Sequence, residues 1–530
     1  MRTVPRSILA LAGLVAAAVI STGCSGDTTQ PVTPPVIGNE APSITTFSAT
    51  SITGGAAYQW SLNDPDGDTL TCALDADGDG ATDVNVAACE TATSQTYAFP
   101  VPGAYTSRLT VSDGNGHGAS AVVSVIAAGS ATTPATWLRQ FGGSSYEYAS
   151  DVATDGAGNT TLVGYTLGAL PGHTSAGALD IVLVKYDPDG SQLWARQFGG
   201  TSFDLASDVT IDGSGEITLV GRTQGVLPGQ TSFGGDDLVL VKYDPDGSQL
   251  WARQFGGTGN DYASGITTDA DGNTTVFGYT SGVLPGQTSA GGADLILVKN
   301  DPDGNQLWTR QLGTSLDDYS GGITTDAAGN TTVVGDTAGI FPGQTSAGGT
   351  DIVLVKYDPN GNQLWTRQFG SAGNDIAGDV TTDAAGNTIL VGFTYGELPG
   401  QTGAGGTDII LAKYDPNGNQ LWTRQFGSTS NDYAYGIATD PAGNSTLIGN
   451  TLGALPGHPS AGRADVILAK YDPEGSQLWT RQFGSASDDY GYGITADAAG
   501  NATLVGDTLG ALPGQTSAGS GDVFITQYPP

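Results

Sequence analysis

The sequence predicts an all-β chain, a seven-bladed β-propeller preceded by a small β-sandwich. Three observations carry this. Trp137, Trp194, Trp251, Trp308, Trp365, Trp422 and Trp479 stand 57 residues apart, and a fixed period of that length marks a repeat architecture. Each copy holds four short runs rich in β-branched and aromatic residues, the composition of strands rather than helices. The array also opens with the piece that its end lacks. Residues 136–142 read as a fourth strand with none before it, and residues 522–528 as a third strand with no tryptophan strand after it. Pairing the two completes the last blade and removes open sheet edges, a complementarity for which a rod-like solenoid has no use.

Within one copy the strands are read at 151–155, 160–166, 180–187 and 192–199. The first and third connections, Asp155-Gly-Ala-Gly-Asn159 and Asp187-Pro-Asp-Gly-Ser191, have the Asp, Pro and late Gly of tight turns. The second, from Leu167 to Leu179, is long. The apolar run Ile181-Val182-Leu183-Val184 suits a strand covered on both faces by neighbouring blades.

Ahead of the array, Arg2 and Arg6, an apolar run from Ile8 to Ile20 and then small residues read as an export signal over 1–23. Thirteen apolar residues are too few to span a bilayer as a helix. Ser21-Thr22-Gly23-Cys24 resembles a bacterial lipoprotein lipobox, with Ser21 standing where a Leu-like residue is usual. The resemblance implies a lipid anchor on Cys24 and, with Ser25 following, delivery to the outer membrane. Ordinary cleavage nearby, with Cys24 left free, is the other reading. Residues 24–41 form a Pro- and Thr-rich tether, 42–128 the sandwich and 129–135 a linker to the ring at 136–530.

Cys72 and Cys89 are the remaining cysteines, and an even pair in an exported chain reads as a disulfide. Such a bridge would stabilise by roughly 3 kcal/mol in the chain-entropy picture. In the sandwich, Tyr97-Ala98-Phe99, Pro102-Gly103-Ala104-Tyr105 and Asp113-Gly-Asn-Gly116 resemble the polycystic-kidney-disease (PKD) type of immunoglobulin-like domain. The Trp-x-Phe-Gly-Asp-Gly signature of that family is absent.

The 18 Lys and Arg against 53 Asp and Glu give a formal charge of −35. Nucleic acid is therefore not an expected partner, whereas cations are easily accommodated. Asp75, Asp77, Asp79 and Asp83, with Gly80, follow much of a calcium-loop spacing, although Val86 stands where a bidentate Glu would. A structural Ca2+ site and a plain Asp-Gly turn are both open there.

In the ring two acidic columns fall on the long-loop face. One is Glu147, Asp204, Asp261, Asp318, Asp375, Asp432 and Asp489, between blades; the other runs from Asp180 to Asp522 at the foot of the third strand. They read either as a binding face that attracts cations or as structural acids that cap loops or pair with the periodic Lys (Lys185 to Lys470) and Arg (Arg139 to Arg481). Catalytic signals are poor: three His, no Gly-x-Ser-x-Gly elbow, no P-loop and no His-Glu-x-x-His. The copies read as near-equivalent, with Arg222, Glu397 and Arg463 as isolated departures.

Trp-x-Arg-Gln-Phe-Gly, Asp-x-x-Gly-Asn-Thr-Thr, Val-Gly-x-Thr and Leu-Pro-Gly-Gln-Thr together resemble the bacterial β-propeller repeat called SBBP, over about three quarters of the chain. The resemblance implies an exported or surface protein, often a lipoprotein, without assigned catalytic residues. The expectation is a non-enzymatic binding or scaffold module whose long-loop face meets a protein or a polysaccharide. Tyr262, Tyr319, Tyr433 and Tyr490 on those loops suit either partner. The alternative is a carbohydrate-active propeller enzyme, a glycosidase or lyase.

Overall fold

The computed structural model describes residues 39–52, 55–76, 81–98, 103–127 and 136–530. The signal segment and Cys24 lie outside them. Among the described residues the regular structure is all strand.

Residues 43–127 form two antiparallel sheets. In one, Gly55–Asn63 lies between Ser43–Ile52 and Ser94–Ala98; in the other the order is Val84–Ala87, Thr71–Asp75, Gly103–Ser112, Gly118–Ala127. Trp60, Tyr58, Leu74 and Leu109 fill the space between them. Cys72 and Cys89 are joined by a disulfide, their Cα atoms 5.9 Å apart.

From Trp137 onward the chain makes seven four-stranded antiparallel sheets. Blade 1 consists of Glu147–Thr154, Thr160–Thr166, Asp180–Tyr186 and Gln192–Phe198, and blades 2 to 6 repeat it. The first strand of every blade is innermost, and each touches the next around a closed circle in which Asp489–Ala496 meets Glu147–Thr154. Every residue of the third strand Asp180–Tyr186 is buried, because blades cover both of its faces.

Blade 7 is closed by the strand that opens the repeat array. Trp137–Phe141 pairs with Asp522–Tyr528 in the register Val523↔Phe141 to Gln527↔Trp137. The side chains lock the same seam: Gln140 Nε2 donates to Asp522 Oδ2 (2.7 Å) and Trp137 Nε1 to Pro188 O in blade 1 (2.9 Å).

One strand differs from its sequence reading. The inner strand starts at Glu147, four residues before the expected 151, so the acids taken to lie between blades open the inner strands. A bulge hides the start: Ala149 pairs with Gly164 and Asp151 with Val163, leaving Ser150 as the extra residue that breaks the alternation.

Candidate functional site

The two ends of each blade are built from the same residue type in opposite ways. At the tight-turn end, Asp155 Oδ1 accepts from the N–H groups of Ala157 and Asn159, and its Oδ2 lies 3.2 Å from Lys185 Nζ. The counterparts Lys299–Asp269, Lys356–Asp326, Lys413–Asp383 and Lys470–Asp440 lie 2.8–3.0 Å apart. Burial pushes the Asp326 carboxyl up. The Asn330 amide and the Lys356 ammonium outweigh it and hold the group below the ordinary carboxylate range. The Arg column fastens differently. Arg196 stacks on Trp194 and donates from Nε to Gly247 O of the next blade (2.7 Å), while Trp194 Nε1 donates to Pro245 O (3.2 Å). The Trp and Arg columns are therefore blade-to-blade fasteners.

At the long-loop end the Asp204 and Asp180 columns have hydrogen bonds where the tight turns have a cation. Asp204 Oδ2 accepts from Gly200 N–H (2.7 Å), and Asp180 Oδ2 accepts from Ala176 N–H (2.9 Å) and Gln197 Nε2 (2.8 Å). Gln197 in turn receives Leu170 N–H, so the Gln column ties the long loop to the outer strand. Gly199 runs between the two carboxylates: a Cβ there would sit 2.7 Å from Asp204 Oδ2 and 2.8 Å from Asp180 Oδ1. Asp204 Oδ1 and Asp180 Oδ1 have no hydrogen-bond partner. Burial, with Asp180 adding its charge, raises the Asp204 carboxyl above its ordinary value despite the Thr223 and Gly200 hydrogen bonds; Asp261, Asp318, Asp375, Asp432, Asp489 and Glu147 shift the same way.

These placements correct the expected binding face. Glu147, Asp204, Asp261, Asp318, Asp375, Asp432 and Asp489 are 0–1 % exposed. They accept N–H groups of the chain between blades and present almost no surface to solvent. Their pairing with the Lys and Arg columns fails for a geometric reason: the Lys side chains lie at the opposite end of the blade.

The long-loop mouth itself is aromatic and differs from blade to blade. Tyr146, Tyr148 and Tyr165 form one run, with centroids 6.3 and 4.9 Å apart. Tyr262, Tyr279 and Tyr319 form a second, with the Arg222 guanidinium 4.6 Å from the Tyr262 ring. Phe393, Tyr433, Tyr435, Tyr492 and Tyr490 form a third. Of the Tyr expected on the loops, Tyr262, Tyr319, Tyr433 and Tyr490 all belong to these clusters, as second residues of the inner strands.

On the ring axis lies a cavity of ≈220 Å3 walled by Ser150, Ser207 and Ser264 on one side and Tyr435 and Tyr492 on the other. Asp151, Asp208 and Asp379 reach it, where blades 3, 4, 6 and 7 have Gly265, Gly322, Gly436 and Gly493. Asp208 accepts from Val209 N–H and from Ile266 N–H of the next blade (both 2.6 Å), and Asp379 likewise from Val380 and Ile437 (2.7 and 3.1 Å). Asp151 shares a hydrogen bond with Asp208. Although solvent reaches part of each carboxylate, protein surrounds it, so burial raises all three, Asp379 to about 7. The sequence reading of near-equivalent copies missed this column. The signal was Asp alternating with Gly at one repeat position, visible only when the seven copies are read down rather than along.

In the sandwich, Asp83 accepts from Ala76 N–H (2.7 Å) and Tyr97 OH (3.1 Å). Asp77 and Asp79 lie outside the described residues. Among the described residues no group of three or more His, Cys, Asp or Glu is placed to hold a metal ion.

Comparison with known proteins agrees with the ring. The beta-propeller repeat model, SBBP, matches residues 250–285, 307–342, 421–455 and 478–512. These four matches fall on repeats of the ring. The chain is 24% identical over 282 residues to the regulatory protein FlaEY of Caulobacter vibrioides, covering 49% of this chain and 28% of that one. It is 25% identical over 249 residues to an uncharacterized WD repeat-containing protein of Acanthamoeba polyphaga mimivirus, covering 37% and 18%. The chain therefore spans less than a third of either relative. Among solved structures, the polysaccharide lyase Uly1 is 10% identical with a TM-score of 0.43, covering 72% of this chain and 90% of the lyase. The Neurospora crassa Pan2 WD40 domain is 11% identical with a TM-score of 0.33, covering 60% and 93%.

Proposed function

We propose that this chain is a non-enzymatic, exported binding module. It is anchored by lipid on Cys24 at the outer membrane or cell surface, with a PKD-like sandwich as spacer. The ring offers its long-loop face to a protein or polysaccharide partner. One observation carries the reading: exposed and stacked aromatic rings gather at the long-loop mouth, in columns where the seven copies differ, while the tight-turn end repeats one fastening in blade after blade. Columns that hold a blade together stay constant; columns free to vary are those available to a ligand. The test is retention of the full chain on immobilised polysaccharides and cell-surface proteins, with and without Ca2+. Binding that is lost on substituting Tyr319 and Tyr395, an exposed ring 6.1 Å from Phe393, supports the reading, and binding indifferent to both rejects it. A calcium-dependent rise in the melting temperature, abolished by Asp75→Asn, would support the structural Ca2+ proposed for the Asp75 to Asp83 turn.

The second reading, a carbohydrate-active enzyme, is favoured by Asp151, Asp208 and Asp379. Carboxyls with raised pKa around a cavity are a recurrent feature of catalytic sites. Turnover of any polysaccharide, lost in Asp379→Asn, would replace the binding module with the enzyme.

A further inference from the structure

Five blades carry a polar cap just before the inner strand. Asn260, Asp317, Asn374 and Asn431 accept from the N–H groups of Asp236, Ala293, Thr350 and Thr407 in the preceding long loop, at 3.0–3.2 Å, and Asp488 accepts from Ala464. Two neighbouring junctions give the cap up. The same position holds Tyr146 and Phe203, and the loop is closed there by main-chain bonds, Ser520 N–H to Ser145 O (3.3 Å) and Leu179 N–H to Ser202 O (3.4 Å).

The exchange is unfavourable for folding. It gives up a side-chain hydrogen bond to a loop N–H. The rings that replace it are 40 % and 42 % exposed, so much of their apolar surface stays in water. Tyr146 also extends a platform. It lies at 17° to Tyr148, which lies at 23° to Tyr165, so three nearly parallel rings run from the cap position onto the inner and second strands of blade 1.

We propose that Tyr146 and Phe203, with the rings behind Tyr146, are the stacking platform for a polysaccharide free of acidic groups. The proposal rests on the long-loop face being the binding face and names the class of its ligand. Sugar rings present flat C–H faces that pack on aromatic faces, while their edge hydroxyls need hydrogen-bond partners. Tyr supplies both a flat ring and a polar tip. Tyr146 and Phe203 offer exposed ring surface to sugar units, and Tyr148 and Tyr165 back Tyr146. Charge selects among polysaccharides: the protein carries −35, every Lys Nζ with an ion pair sits at the tight-turn end, and Arg222 and Arg463 at the mouth are each already paired with an acid, Asp236 and Asp488. Uronate or sulfate chains meet repulsion there.

The test uses the full chain in affinity electrophoresis and isothermal titration against three neutral polysaccharides (laminarin, galactomannan and xylan) and two polyanions (polygalacturonate and heparin). The variants are Tyr146→Asn, Phe203→Asn and the pair, each of which restores the cap residue of other blades. At least one neutral polysaccharide binds, the polyanions do not, and the double variant weakens binding tenfold or more with its melting temperature unchanged or raised. Preference for a polyanion, or undiminished binding by the double variant, overturns the proposal. If no polysaccharide binds but a surface protein does, through the same face, the glycan assignment falls while the binding-module reading stands. If nothing binds through that face, both fall.

Discussion

The tight-turn end and the long-loop end of a blade each bury an aspartate in every copy, yet they solve the same electrostatic problem differently. Asp326 is answered by Lys356, whose side chain is only 2 % exposed and whose Nζ lies 2.9 Å away. Asp204 is answered by N–H and hydroxyl groups, with a second carboxylate as neighbour. One end is held by opposite charges and the other by hydrogen bonds to carboxyls that burial shifts upward. A column of acids in a repeat therefore says that a carboxyl is needed, not what it does; the partner decides that.

The largest effect expected is on the ion-paired end. Lys356→Met leaves Asp326 buried without its cation, and breaking a buried pair from one side costs about 3–5 kcal/mol. Denaturant unfolding of the full chain measures it. A loss below about 1 kcal/mol would place Asp326 in effective contact with water and erase the contrast between the ends.

Next comes the crowding at the other end. Gly199→Ala puts a methyl between the carboxylates of Asp180 and Asp204, inside van der Waals distance of both. Overpacking of this kind costs about 1–3 kcal/mol. The same measurement checks it, and no destabilisation would mean that the two carboxylates stand farther apart than the junction requires.

How much of this was legible in the sequence follows from chain direction. The period, the four strands and the closure of blade 7 by Trp137–Phe141 lie along the chain, and they were readable. The partners of the acids lie across it. Lys185 reaches Asp155 through the pairing of the second and third strands, while Asp180 meets Asp204 across a blade junction. Nothing in the spacing of Asp and Lys distinguishes those two outcomes. The bulge at Ser150 hid the first turn of residues in the inner strand, and with it the fact that Tyr148 faces the mouth. Tyr146 and Phe203 were visible as letters, but their meaning needed the cap that Asn260 and Asn374 make in the same place.

pH separates the two ends by sign. The Asp204 column has carboxyls raised in the folded protein, so its contribution is complete below the unfolded carboxyl pKa and is lost as pH rises through the folded value. The Asp326 column is lowered, so its contribution is present above the unfolded pKa and is lost as pH falls through the folded value. Replacing Asp204, Asp261 and Asp318 by Asn together removes part of the alkaline loss and leaves the acid limb alone. The triple variant should melt near the parent at pH 4.5 and above it at pH 8, by a shift corresponding to about 1 kcal/mol or less per site. Melting below the parent at pH 8, reversed in the parent by chelator, would show that the pairs hold a bound cation instead of protons.

The smallest effect sharpens the contrast in glycine. Gly156 opens the tight turn after Asp155, has no atom within 4 Å of a Cβ position and does not need a left-handed backbone. Blades 3, 4, 5 and 7 carry Ala270, Ala327, Ala384 and Ala498 there, and blade 6 has Pro441. Gly156→Ala should therefore stabilise by about 0.4–1 kcal/mol, through the freedom lost by the unfolded chain. Made beside Gly199→Ala in the same protein, it should shift the melting temperature in the opposite direction. Two glycines about 40 residues apart would then report one difference: room at the tight turns, and none at the junctions where carboxylates crowd the backbone.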